Sequence, residues 1–403
     1  MDLPNVHRRL EESKDAMASF LMGILRIPAI GPANGGDGEM ARADHLMGFL
    51  DGFDDVRRFD VLDKAHDGVL RPNILARKTG RKPGTVWIVS HTDTVTPGDL
   101  SEWRTPPFEP TYRDGTVYGL GAEDNGQAIV SSFFAAKQFL SEELNGMSLG
   151  LALVADEETT SAMGIQWLIE RGHFSEDDLI IVPDWGTTDG TLVEVAEKHL
   201  LWVKITVRGK QTHGSTPHRG LNAFAAGAPI VDGLHRALKE RYPGTDDMFV
   251  PPASTFEPTR ALETVGNVNT IPGTFTFWMD CRILPCYDAR QVLGFIKEWV
   301  AATGADAEVA VEQRTVSGKP SSVDTDHYRA LESAVEDVIG ERPKAVGIGG
   351  GTCANFFRLA GMDAYVWQSG GGTLHQPNEC LPMDIAVRDA KVFASLFHKL
   401  CLS

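Results

Sequence analysis

Three short apolar runs, each ending in a loop that carries acidic residues or histidine, constrain this chain more than any other feature. They cover residues 86–90 (VWIVS), 149–155 (LGLALVA) and 179–182 (LIIV), and stretches of helical period over 127–140 and 163–171 lie between them. Unbroken apolar runs of this length suit strands buried on both faces. Strands alternating with helices fold as an α/β layer with parallel strands. In such sheets, ligands collect beyond the carboxyl ends of the strands.

The pattern changes after about residue 197. Residues 200–207 alternate, with Trp202, Lys204 and Thr206 on one face. A helix over 222–241, a strand near 255–265, a strand over 274–284, a helix over 289–302 and a strand over 307–311 follow. This order is βαββαβ, the ferredoxin-like arrangement. The α/β pattern resumes from residue 326, so the second domain is an insertion. We expect a first domain of 1–197 and 316–403 interrupted by an insert of 198–315, with hinges at 186–191 and 317–322. A chain of 403 residues is long for one core, which agrees with two domains.

Composition excludes several classes. A chain 42% hydrophobic and 23% charged folds rather than staying disordered. A formal net charge of −17 argues against a nucleic-acid backbone or an anionic membrane as the main partner. No apolar run is long enough to span a bilayer. Near the N-terminus, Phe20, Leu21, Ile24 and Leu25 fall at helical spacing before Pro28, without signal-peptide architecture. The five cysteines are scattered and form no CxxC pair, which suits reduced thiols in the cytoplasm. The Pro-Cys-x-x-Cys segment of a zinc deaminase is absent.

The loops carry the chemistry. His91 and Asp93 follow the first run; two apart on extended chain, they face the same side, so Asp93 can reach the second nitrogen of His91. Asp124 lies in the glycine-rich stretch 119–126, where it can cap a helix or bridge two metals. Glu157 and Glu158 follow the second run and face different directions, one toward a metal and the other free to take a proton. Asp184 follows the third run, and His375 sits in the loop 370–379. Singly, these are a polar turn, a cap, an acidic loop and a surface histidine. Jointly, they are a ligand set for two divalent metals with a base beside it, the equipment of metal-assisted hydrolysis. In the insert, His213 occupies a loop, Asn267 and Asn269 follow, and Arg282 can pair with Asp280 or hold a substrate carboxylate.

Together, the H-x-D, D, E-E, D and late H, in this order and with an insert between the fourth and fifth, resemble the dinuclear zinc metallopeptidase family of acetylornithine deacetylase, succinyl-diaminopimelate desuccinylase, aminoacylase and glutamate carboxypeptidase. The likeness runs from the N-terminal helix to about residue 384. It implies an α/β metallopeptidase-type domain, whose parallel-rich mixed sheet is flanked by helices, with a ferredoxin-like lid and dimerisation insert. It implies that Asp124 bridges two zinc ions (cobalt or manganese as substitutes), that His91 and Asp184 complete one site, and that Glu158 and His375 complete the other. Glu157 becomes the general base, Asp93 the partner behind His91, and His213, Asn269 and Arg282 the substrate contacts of a homodimer. Two positions depart from the family pattern: Leu120 and Gly126 stand where an arginine and a lysine are common, and the 352–354 segment lacks an aspartate. The implied reaction is amide hydrolysis of an N-acyl amino acid. A dipeptidase or carboxypeptidase on the same site, or a non-catalytic metal-binding scaffold, are the alternatives.

Overall fold

The computed structural model describes residues 2–370 and 372–402. In chain order its principal strands are β1 (Asp55–Asp63), β2 (Val69–Lys78), β3 (Thr85–His91), β4 (Ser148–Val154), β5 (Leu179–Thr187), β6 (Leu192–Glu197), β7 (His199–Arg208), β8 (Thr255–Ala261), β9 (Thr274–Ile283), β10 (Ala307–Thr315), β11 (Lys344–Ile348) and β12 (Ala364–Ser369). Two compact units share them. The first comprises the chain up to Val195, residues 320–345 and the chain from Thr352; the second comprises 196–319 and 346–351.

The large sheet has the order β1-β2-β4-β3-β5-β12-β6-β11. Its centre is parallel: β4 with β3, β3 with β5, and β5 with β12. The β1–β2 and β2–β4 pairs are antiparallel, so the sheet is mixed. Every residue of β3 and of β4 is buried, as their apolar runs require. Gly150 on β4 leaves room for the Trp87 ring, which a Cβ there would overlap. The helices Gly126–Lys137 and Met383–Cys401 pack beside each other with long buried faces. Trp87, Val89, Ala152, Val154, Ile180, Val182 and Phe357 share one apolar cluster. No helix among the described residues is long and apolar enough to cross a membrane.

The second unit holds an antiparallel sheet of order β8-β9-β7-β10. Strands and helices run βαββαβ, with the helices Ala223–Arg241 and Ala289–Ala302 as the connections. Leu201, Val203, Ile205 and Val207 of β7 point into their core, while Trp202 is exposed. Asn222 caps the first of these helices by accepting from the amide of Ala225 at 3.0 Å, and Asp288 caps the second through Arg290.

The limits of the units differ from those read off the sequence. The chain leaves the first unit after Val195 rather than at 186–191, where β5 simply continues to Thr187. Residues 316–319 go with the insert because the amide and hydroxyl of Ser317 bond His199 Nδ1 at 2.9 and 2.6 Å. Residues 346–351 join it through the Gly347 amide, which donates to Met248 O at 2.7 Å.

Candidate metal centre

The strand ends of the first unit's sheet bring the acidic loops together. β3 delivers His91 as its last residue, and the Thr92 amide, donating to Val154 O at 2.8 Å, holds the exit beside β4. His91 is buried, and its Nε2 lies 2.7 Å from Asp124 Oδ1 and 3.4 Å from Asp184 Oδ1. Asp124's other oxygen, Oδ2, lies 3.0 Å from His375 Nε2, which is also 3.2 Å from Glu158. The two oxygens of one carboxylate thus face two different imidazoles. His91, Asp124 and Glu158 offer ligand atoms within 4.8 Å of one another, as do His91, Glu157 and Asp184. His375 adopts φ +58° and is the exposed member of the group.

Asp93 lies behind His91 and beside the glutamate loop. Its carboxylate oxygen is 3.5 Å from His91 Nδ1, which is too long for a good hydrogen bond; the shorter contact, 3.1 Å, is to Asp93's own backbone carbonyl. The carboxylate instead accepts the amides of Glu157 and Glu158, at 3.1 and 3.0 Å. No described residue donates a hydrogen bond to the Glu157 carboxylate, whereas His375 holds Glu158.

Four supporting residues were not legible as such in the sequence. Asn125, not Asp124, occupies the helix cap position, and its side chain donates to Pro183 O and Asp184 Oδ1 at 2.8 and 2.9 Å while accepting from the His91 amide at 3.3 Å. The Asp124–Asn125 peptide is cis. Glu379 accepts the amides of Gly121, Glu123 and Asp124 at 2.8–2.9 Å, tying the segment after His375 to the turn that carries Asp124. Asp156 precedes the glutamate pair at φ +68°, accepting from Thr160 Oγ1 at 2.8 Å and from the Met163 amide at 3.1 Å. Arg71, fully buried, reaches Asp156 at 3.2 Å, Asp63 at 3.4 Å and Glu39 at 2.8 Å. The adjacency of Asp156 to the glutamates was visible; the other contacts join segments far apart in the chain.

The electrostatics call for cations. Burial, reinforced by Asp184, pushes the Glu157 carboxyl well above the usual range. Burial would lower the His91 imidazole, yet Asp124, Asp184 and Asp93 together hold it well above its ordinary value. Hydrogen bonds to Asp124 and Glu158 push His375 up to about 11. For Asp124, the histidines outweigh burial and hold the carboxyl below the ordinary range. No lysine or arginine among the described residues pairs with Asp124, Glu157, Glu158 or Asp184. Buried carboxylates interleaved with imidazoles, with no lysine or arginine among the described residues to pair them, are the donor set that divalent metals satisfy.

The remaining expected substrate residues lie in the second unit. His213 Nδ1 bonds Ser215 Oγ at 2.8 Å, leaving Nε2 toward solvent. Asn269 is adjacent to it, accepting the Gly214 amide at 2.7 Å. Arg282 binds Asp280 through Nε and Nη2 at 2.8 and 3.1 Å and donates from Nη1 to Gly349 O at 2.7 Å.

Comparison with known proteins agrees with this picture. The family model for peptidase family M20/M25/M40 matches residues 87–399. An uncharacterised metallohydrolase of Methanocaldococcus jannaschii is 37% identical over 92% of this chain and 96% of its own length. Succinyl-diaminopimelate desuccinylase of Alkalilimnicola ehrlichii is 27% identical over 76% of this chain and 81% of its own. Among solved structures, human carnosine dipeptidase 1 shares the fold, with a TM-score of 0.75 and 16% identity over 98% of this chain and 99% of its own.

Proposed function

The chain belongs to peptidase family M20/M25/M40 and is a metal-dependent hydrolase, and from that premise we propose that it cleaves an amide bond of an N-acyl amino acid with Glu157 as general base. The observation that carries this reading is the placement of Asp124, with its two oxygens 2.7 and 3.0 Å from two different imidazoles. Asp124 would bridge two ions, with His91 and Asp184 on one side and Glu158 and His375 on the other. Two divalent ions, zinc first and cobalt or manganese as substitutes, would polarise the scissile carbonyl and make water acidic near neutral pH.

The protein's own part is proton handling and orientation. Glu157 accepts a proton from the attacking water and returns it to the departing amine. Its carboxylate is free to do so because no described side chain engages it. Asp93 fixes the amides on either side of the Glu157 Cα, so base and ligand move as one piece. We assign the second unit the part of lid and homodimer contact, with His213, Asn269 and Arg282 meeting the substrate. The free thiols, five in all, suit a reducing cytoplasm.

The test is a panel of N-acyl amino acids, N-succinyl-diaminopimelate and dipeptides, assayed with metal-loaded and chelated protein. Chelator-sensitive cleavage of the acylated compounds alone is the expected result. Cleavage of dipeptides instead would move the reading to the dipeptidase that the fold of the carnosine enzyme suggests. No cleavage with metal bound would leave a metal-binding scaffold.

A further inference from the structure

A cleft of about 390 Å³ lies in the first unit, lined by Trp185, Gly186, Thr187, Thr188, Gln368, Gly370, Gly372 and Leu374. Two of its wall residues are chain neighbours of candidate ligands: Trp185 follows Asp184, and Leu374 precedes His375. Its size is that of small-molecule sites.

The lining carries no charged side chain. Thr187 Oγ1 is already engaged, donating to Asp189 at 2.6 Å. Arg388 does not line the cleft; it donates to Thr188 O at 2.7 Å and to Ser369 Oγ at 2.8 Å. At the floor, β5 and β12 come close enough that a Cβ on Gly186 would collide with the Gln368 carbonyl, so this wall is bare backbone. Gln368 itself is 1% exposed, and its Oε1 meets no donor among the described residues. That oxygen is closed off from the cleft, so the wall offers an occupant little polar side-chain surface.

We infer that this cleft receives an uncharged group of the substrate beside the scissile amide, with an apolar body against Trp185 and Leu374. A carboxylate or ammonium there would lose its water without gaining a counter-charge. The group is either the acyl chain or the side chain of the amino acid; both present the same chemistry. The inference rests on the hydrolase reading above and narrows it to substrates that are neutral on one side of the amide.

The experiment compares kcat/KM of the metal-loaded enzyme in two matched series. One varies the acyl group on a fixed amino acid, and the other varies the amino acid under a fixed acyl group; each contains neutral, anionic and cationic members. In one arm, neutral members should exceed charged ones by about tenfold or more, and that arm identifies which group occupies the cleft. Gln368→Glu should then raise the cationic-to-neutral ratio in that arm by about tenfold. Thr188→Glu, at an exposed rim position, should move the ratio the same way and serves if the buried variant fails to fold. Charged members equal to or better than neutral ones in both arms, or a ratio unmoved by either variant, would overturn this inference and leave the hydrolase reading intact. No cleavage of any member would overturn both.

Discussion

The amide nitrogen of Glu157 lies 3.1 Å from Asp93 Oδ1, and the next amide, that of Glu158, lies 3.0 Å from Asp93 Oδ2. One buried carboxylate therefore sets the backbone of both the proposed base and a proposed ligand. Asp93→Asn keeps the shape but replaces one acceptor oxygen by an NH₂ donor facing an amide. Metal affinity or turnover should fall about 10–100-fold, as for other residues that orient ligands. Metal titration alongside kcat checks this; unchanged values for both would show that the loop needs no such anchor.

Arg71 holds Glu39, Asp63 and Asp156 in one buried cluster. Arg71→Met leaves these carboxylates without their cation. The loss should be about 3–5 kcal/mol of folding free energy, the usual cost of orphaning a buried charge. Urea denaturation of metal-free protein measures it. A loss below about 1 kcal/mol would mean that water or neighbouring groups compensate.

Asp389 gives a pH signature away from the metal centre. Burial pushes its carboxyl up to about 7, against the opposing hydrogen bonds of Ser369 and Gln127. In the unfolded chain it titrates near 3.9. Between these values the folded state holds the extra proton, so the Asp389 contribution is complete below about pH 4 and is lost as pH rises to about 7. The stability difference between wild type and Asp389→Asn should shrink by on the order of 4 kcal/mol across that window. Denaturation midpoints at several pH values check the slope; a difference that is flat or grows with pH would contradict it.

What was legible in the sequence follows from how local each signal is. β3, β4 and β5 are buried on both faces, so their apolar runs announced them and fixed where the acidic loops begin. The β1–β2 hairpin was missed because β1 is an edge strand, half-buried or exposed over most of its length and carrying Arg57, Arg58 and Asp60. Asp124 was the expected helix cap and Asn125 went unnoticed, because the bonds of Asn125 to Asp184 and the His91 amide exist only once distant strands are side by side. Glu379 is likewise more than 250 residues from the amides it holds. Asp93 was seen behind His91 because spacing shows which side a residue faces; its bonds to the Glu157 and Glu158 amides exist only once β3 and β4 are paired.

The most direct test of the account is Glu157→Gln, assayed for bound metal and turnover on the same preparation. The account requires metal content to stay near that of the wild type while kcat drops on the order of 10²–10⁴-fold, because the variant keeps the donor set and loses the proton acceptor. Near-wild-type turnover with metal fully bound would contradict the assignment of Glu157 as the base. Loss of metal in step with activity would instead make Glu157 a ligand, as its place within 4.8 Å of His91 and Asp184 permits.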